Sequence, residues 1–105
     1  MFKNQDKRFI TKGIDMRIPK EIQVVCWQLV DNLVKEKEVE VDYLQIFEFE
    51  KHQEEKLLIT HRQEEPEYQK TYELKLEESI VNFDVSKLWL IDDGENQTML
   101  LPTEY

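Results

Sequence analysis

The chain has 105 residues, a formal charge of −9 and a hydrophobic share of 40%. That length suits one domain, residues 1–105, built on one core, and is too short for two. The net negative charge repels phosphate backbones, which argues against direct nucleic-acid binding. It is also unevenly spread: residues 1–35 carry seven Lys/Arg against four acids, or +3, whereas residues 36–105 carry seven against nineteen, or −12.

The polar start from Met1 to Arg8 has no apolar run behind it that could serve as a secretory signal, and no stretch approaches the ~20 apolar residues of a membrane span. A cytoplasmic protein is therefore expected. The single cysteine, Cys26, cannot form an internal disulfide, in keeping with a reducing compartment.

Taken in chain order, Arg8 to Ile14 reads as a short β-prone run interrupted by Gly13. Pro19 then sits where a first helical turn tolerates it. From Lys20 to Lys35 the residues Ile22, Val25, Cys26, Leu29 and Leu33 recur at three- and four-residue steps, which predicts an amphipathic helix. Val24, Trp27, Val30 and Val34 widen that stripe on one flank, and Gln23 is assigned to the polar side. Val41 to Glu50 reads as a strand, with Tyr43, Phe47 and Phe49 on one face and Leu44 and Ile46 on the other. A polar hairpin loop, 51–55, leads to an antiparallel strand from Leu57 to Gln63, which the run Glu64-Glu65-Pro66-Glu67 stops.

Tyr68 to Leu76 alternates most clearly, with Tyr72, Leu74 and Leu76 inward and Thr71, Glu73 and Lys75 outward. Residues 77–87 read as a long ordered connection. Leu88 to Ile91 and Thr98 to Leu101 then flank a turn in which Gly94 supplies a positive φ. The expected fold is α+β: one main amphipathic helix on a mostly antiparallel sheet of five to six strands.

Several stretches together carry a resemblance: Arg8-Phe9-Ile10-Thr11-Lys12-Gly13, Ile18-Pro19 before the helix with Trp27, Asp42-Tyr43-Leu44-Gln45-Ile46-Phe47, His61-Arg62-Gln63-Glu64, Ile91-Asp92-Asp93-Gly94, Thr98-Met99-Leu100-Leu101-Pro102 and the ending Glu104-Tyr105. Over nearly its whole length the chain resembles a family of small proteins from Gram-positive bacteria known only as a domain of unknown function. The resemblance implies a bacterial cytoplasmic protein and brings no activity, cofactor or catalytic residue with it.

The residues themselves offer few chemical constellations. His61 and Arg62 pair a proton shuttle with an anion-binding group, but neighbours on a strand point to opposite faces, so a structural or surface role is favoured. Asp92, Asp93 and Glu95 crowd carboxylates around Gly94; the loop is too short for a calcium site, and turn chemistry explains it without a metal. His52, His61 and Cys26 have no zinc spacing, and Cys26 lies on the apolar stripe, where a thiol acts as a small hydrophobe. With only Gly13 and Gly94 there is no Gly-rich nucleotide loop.

No cofactor, metal or catalytic residue is thus expected. By elimination the reading is a small cytosolic protein-interaction module, more in keeping with a non-enzyme, with Trp27, His61, Arg62 and Tyr68 as candidate binding residues and a homo-oligomer compatible with the sequence. The alternatives are a small-ligand protein or small enzyme using His61 and Arg62, and an acidic mimic of nucleic acid.

Overall fold

A computed structural model describes residues 1–52, 55–75 and 83–105. The described chain forms six strands: β1 (Arg8–Ile10), β2 (Leu44–His52), β3 (Lys56–Gln63), β4 (Tyr68–Lys75), β5 (Lys87–Asp92) and β6 (Gln97–Leu100). Two α-helices, α1 (Lys12–Arg17) and α2 (Lys20–Glu36), lie between β1 and β2. The strands make one sheet in the order β1-β6-β5-β2-β3-β4. All its pairings are antiparallel except that of β1 with β6, which is parallel. This is the expected α+β fold.

The sheet has one helix-covered face. Ile22, Cys26 and Val30 of α2 and Ile14 of α1 share a buried cluster with Phe47, Phe49, Leu57, Ile59, Leu88, Leu90 and Met99. These strand residues stand at alternate positions and face each other in register, as in Phe47 opposite both His61 and Leu88 and Leu90 opposite Met99. The period of two therefore assigns the intervening residues to the other face. There Ile46 and Leu100 are buried apart from the main cluster.

Most expected elements appear within a residue or two of their expected ends. The strand expected over Arg8 to Ile14 is instead a three-residue strand and a helix. Thr11 decides the switch: its Oγ1 accepts the Ile14 N–H at 3.3 Å and caps α1, which Gly13 then occupies rather than breaks. The stripe of α2 is also rotated from its expected centre. Val30 is fully buried while Val25 and Leu29 are only partly so, and Gln23, assigned to the polar side, is buried with its Nε2 donating to the Ile18 carbonyl at 2.9 Å. Tyr43 precedes β2 and is half-exposed.

The hairpin loop expected over 51–55 narrows, because β2 runs on to His52 and β3 starts at Lys56; its positions 53–54, like Leu76 and positions 77–82 of the expected connection, lie outside the described residues. Gly94 has φ +98° in the β5–β6 turn, as its type requires.

Candidate functional site

His61 and Arg62 end on opposite faces of β3, as alternation demands. His61 is fully buried on the helix side, stacked on Phe47 with ring centroids 4.5 Å apart and met edge-on by Tyr68 at 5.6 Å. Its Nε2 lies 2.7 Å from Gln45 Oε1. The Gln45 amide nitrogen donates to the Asp42 carbonyl at 3.0 Å and to Gln63 Oε1 at 2.8 Å, so its oxygen is the acceptor and His61 carries its proton on Nε2. His61 Nδ1 is left without a partner among the described residues. Burial pushes the imidazole pKa down to about 4, so the ring is neutral.

Gln63 completes this buried chain. Its amide donates to the carbonyls of Glu40 and Pro66 at 2.9 and 2.8 Å, and its oxygen accepts the Asp42 N–H at 3.0 Å. The network fastens the α2–β2 connection and the β3–β4 turn to the end of the sheet. Tyr68 lies against it, with its phenol pushed up by burial and by Tyr72. The ring is sealed from solvent, makes one hydrogen bond among the described residues, to the Gln45 amide oxygen, and so ties β3 into this network.

Arg62 lies on the other face, where its Nε donates to Glu48 at 3.1 Å while Lys87 Nζ approaches the same carboxylate at 3.4 Å. Burial pushes the Glu48 carboxyl up, yet the hydrogen bonds and charges of Arg62 and Lys87 together hold it below the usual range. Trp27 is covered by Arg8, whose guanidinium lies 4.5 Å above the indole and is held there by a two-pronged ion pair with Asp31. Of the four candidate residues, His61 and Tyr68 are brought together, while Arg62 and Trp27 stand apart from them.

The carboxylates around Gly94 serve the backbone. Asp92 accepts the N–H of Gly94 at 2.8 Å and that of Phe2 at 2.6 Å, and Asp93 accepts those of Glu95 and Asn96 at 2.9 and 2.7 Å. These bonds from Asn96 and Glu95 hold the Asp93 carboxyl below its ordinary range. Among the described residues no group of three His, Cys, Asp or Glu is placed to hold a metal ion.

What does converge is on the face away from α2. At its β5–β6–β1 end, beside Leu44 of β2, stand Trp89, Ile91 and Thr98, with Phe9 53% exposed and Tyr105 82% exposed. The Tyr105 ring meets Trp89 edge-on at 5.7 Å, and the buried Trp89 Nε1–H has no partner among the described residues. Toward β4 the same face is polar and internally paired: Thr60 with Thr71 at 3.0 Å, Lys56 with Glu73 at 3.1 Å, and Glu48 with its two cations. Sequence reasoning missed Phe9 and Tyr105 because β1 ends sooner than its composition implied and because Tyr105 follows the last strand. It missed Gln45 and Gln63 although both share the parity of Phe47 and His61.

Residues 7–104 match the model of the family described as "Staphylococcal protein of unknown function (DUF960)". The chain belongs to this family. A crystal structure of a protein of unknown function from Enterococcus faecalis superposes with a TM-score of 0.81 at 21% identity, over 97% of this chain and 93% of that one, which shows a shared fold. No curated protein matches. The resemblance to a Gram-positive family of unknown function is thereby borne out, and neither the family nor the Enterococcus structure indicates a specific function. No helix among the described residues is long and apolar enough to cross a membrane.

Proposed function

We propose that this member of the family binds another protein through the face of its sheet that lies away from α2. The observation that carries this reading is the split character of that face. Its polar half satisfies its own charges, while its other half leaves Phe9 and Tyr105 in solvent beside Trp89 and Ile91. Exposed aromatics grouped on one surface are the usual anchors of an interface, and grouped apolar surface is what a soluble chain otherwise avoids. Trp27 and Tyr68 are already engaged, by Arg8 and His61, so the anchoring role moves to Phe9 and Tyr105. The separation of His61 from Arg62 gives no support to a small-ligand site, and the pairing of Glu48 and Glu73 with cations gives none to an acidic mimic.

The test is affinity capture from a lysate of the source bacterium with the wild-type chain and with a Phe9→Ser, Tyr105→Ser double variant. One protein retained by the wild type, lost by the variant at unchanged circular dichroism, and rebound when purified is the expected result. Absence of any such protein, together with a saturable metabolite whose binding depends on Arg62, overturns the reading.

A further inference from the structure

We propose that β1 is a docking edge, to which an extended, acid-bearing segment of a partner protein adds as a seventh strand beside α2. This rests on the protein-binding reading above and adds where the partner chain lies and in what conformation.

The backbone of β1 is the first ground. In its parallel ladder with β6, Thr11 donates its N–H to the Met99 carbonyl at 3.1 Å. Backbone groups alternate along a strand, so the N–H and C=O of Phe9 also turn to β6 while those of Arg8 and Ile10 turn outward. An edge of this kind is a template for another strand unless something guards it. The opposite edge, β4, carries exposed Lys70, Glu73 and Lys75 as guards. The one charge on β1, Arg8, is folded over Trp27 and locked to Asp31 instead of standing across the edge.

The second ground is the wall beside that edge. β1 leads through α1 into the start of α2, and its first residue, Arg8, reaches back to Trp27 and Asp31 of that helix. Arg8 is level with Trp27 and Asp31. Two residues further along β1, about 6.6 Å, comes Ile10, and one turn back along α2 from Trp27 comes Val24. Ile10 is 39% exposed and Val24 53% exposed, two aliphatic side chains left in water that would line one trough beside an added strand. An added strand would lay alternate side chains against Ile10, Val24 and the edge of Trp27, and the others beside Phe9. Strand addition of this kind takes affinity from the main chain and selectivity from such alternate pockets.

Charge selects the occupant. Exposed Lys7 and Lys12 bracket β1, in the third of the chain that carries +3, whereas the remainder carries −12. A segment with Asp or Glu at its ends is drawn to this edge and repelled from most of the other surface.

The probe is a displayed library of random heptapeptides selected on the immobilised full chain, with the selected sequence then synthesised alongside a version whose acids are changed to Lys. Convergence on alternating apolar positions with acidic ends is expected, with at least tenfold weaker binding of the Lys version and slowed amide exchange at Arg8 and Ile10 on binding. Ile10→Pro removes an outward N–H that the β1–β6 ladder does not use, a substitution edge strands tolerate, and Val24→Lys fills the trough with charge. Each should weaken the peptide at least tenfold at an unchanged melting temperature.

No convergent peptide, slowed exchange along Tyr68–Lys75 instead, or a wild-type dimer that Ile10→Pro turns into a monomer would each overturn the proposal. A lysate partner lost by the Phe9→Ser, Tyr105→Ser variant but kept by Ile10→Pro would leave protein binding standing and remove only the edge. A wild type that retains no protein and instead binds a metabolite through Arg62 removes both.

Discussion

At the scale of single residues, His61 shows how a side chain suited to chemistry is used for structure. It is neutral when folded, with a pKa near 4, whereas in an unfolded chain it titrates near 6.5. The unfolded state therefore takes up a proton below pH 6.5 that the folded state refuses until about pH 4. Stability should be full above pH 6.5 and fall between these values by up to about 3 kcal/mol. Chemical denaturation at pH 7.5 and 4.5 measures this, and a His61→Gln variant should show a clearly flatter fall; equal slopes would disprove the assignment. His61, Gln45 and Gln63 were legible in sequence only as positions of one parity. Their burial was hidden because a polar residue on a strand is ordinarily turned to water, and only the converging Asp42, Glu40 and Pro66 backbones make burying them affordable.

At the scale of elements, two corrections share a form: in each a specific side-chain contact outweighed composition. Thr11 started a helix where Phe9, Ile10 and Ile14 suggested strand, and Gly13 in α1 is needed by the C-terminus. The Glu104 carboxylate accepts from Thr11 Oγ1 at 2.6 Å, the Gly13 N–H at 3.0 Å and the Leu101 N–H at 2.9 Å, and a Cβ on Gly13 would lie 2.6 Å from its Oε2. Hydrogen bonds from Thr11 and from the backbone hold that carboxyl below its usual range. Ala is favoured over Gly in a helix by about 1 kcal/mol. Gly13→Ala should therefore stabilise by about that much in a Glu104→Ala background and by clearly less in the wild type, where Glu104 must move aside; equal effects in denaturant melts would refute the clamp. In α2 the same logic ranks the stripe. Ile22 is fully buried and Leu29 only partly so, hence Ile22→Ala should cost about 2–5 kcal/mol and Leu29→Ala less. The reverse order would show that α2 is rotated on the sheet. The period of 3.6 made the helix legible, but with nine apolar positions from Ile22 to Val34 it left the centre of the stripe undetermined, and Arg8 holding Trp27 at the margin settles it.

At the scale of the whole molecule, alternation and turn residues made six strands and their hairpins legible, while the sheet order was not. The placement of β1 at the far edge depends on contacts about ninety residues apart, such as Arg8 Nε to Gln97 Oε1 at 2.8 Å, and no local pattern encodes those. One consequence is that the N-terminal segment, α2 and the C-terminal strand close over a common interior, with Cys26 fully buried in it among residues from Phe2 to Leu101. Burial also pushes the Cys26 thiol far up, so the nucleophilic thiolate is absent as well as inaccessible. Labelling should then require opening of the core as a whole. A disulfide reagent at pH 8 should react about five thousandfold more slowly, or slower still, with the native protein than with the protein in 6 M guanidinium, the least that a stability of about 5 kcal/mol allows when opening is global. The native rate should also rise with sub-denaturing urea along the slope of the equilibrium melt, since both report the same exposed surface. Labelling that is slow but indifferent to urea would mean that α2 opens locally at Cys26 while the sheet stays closed.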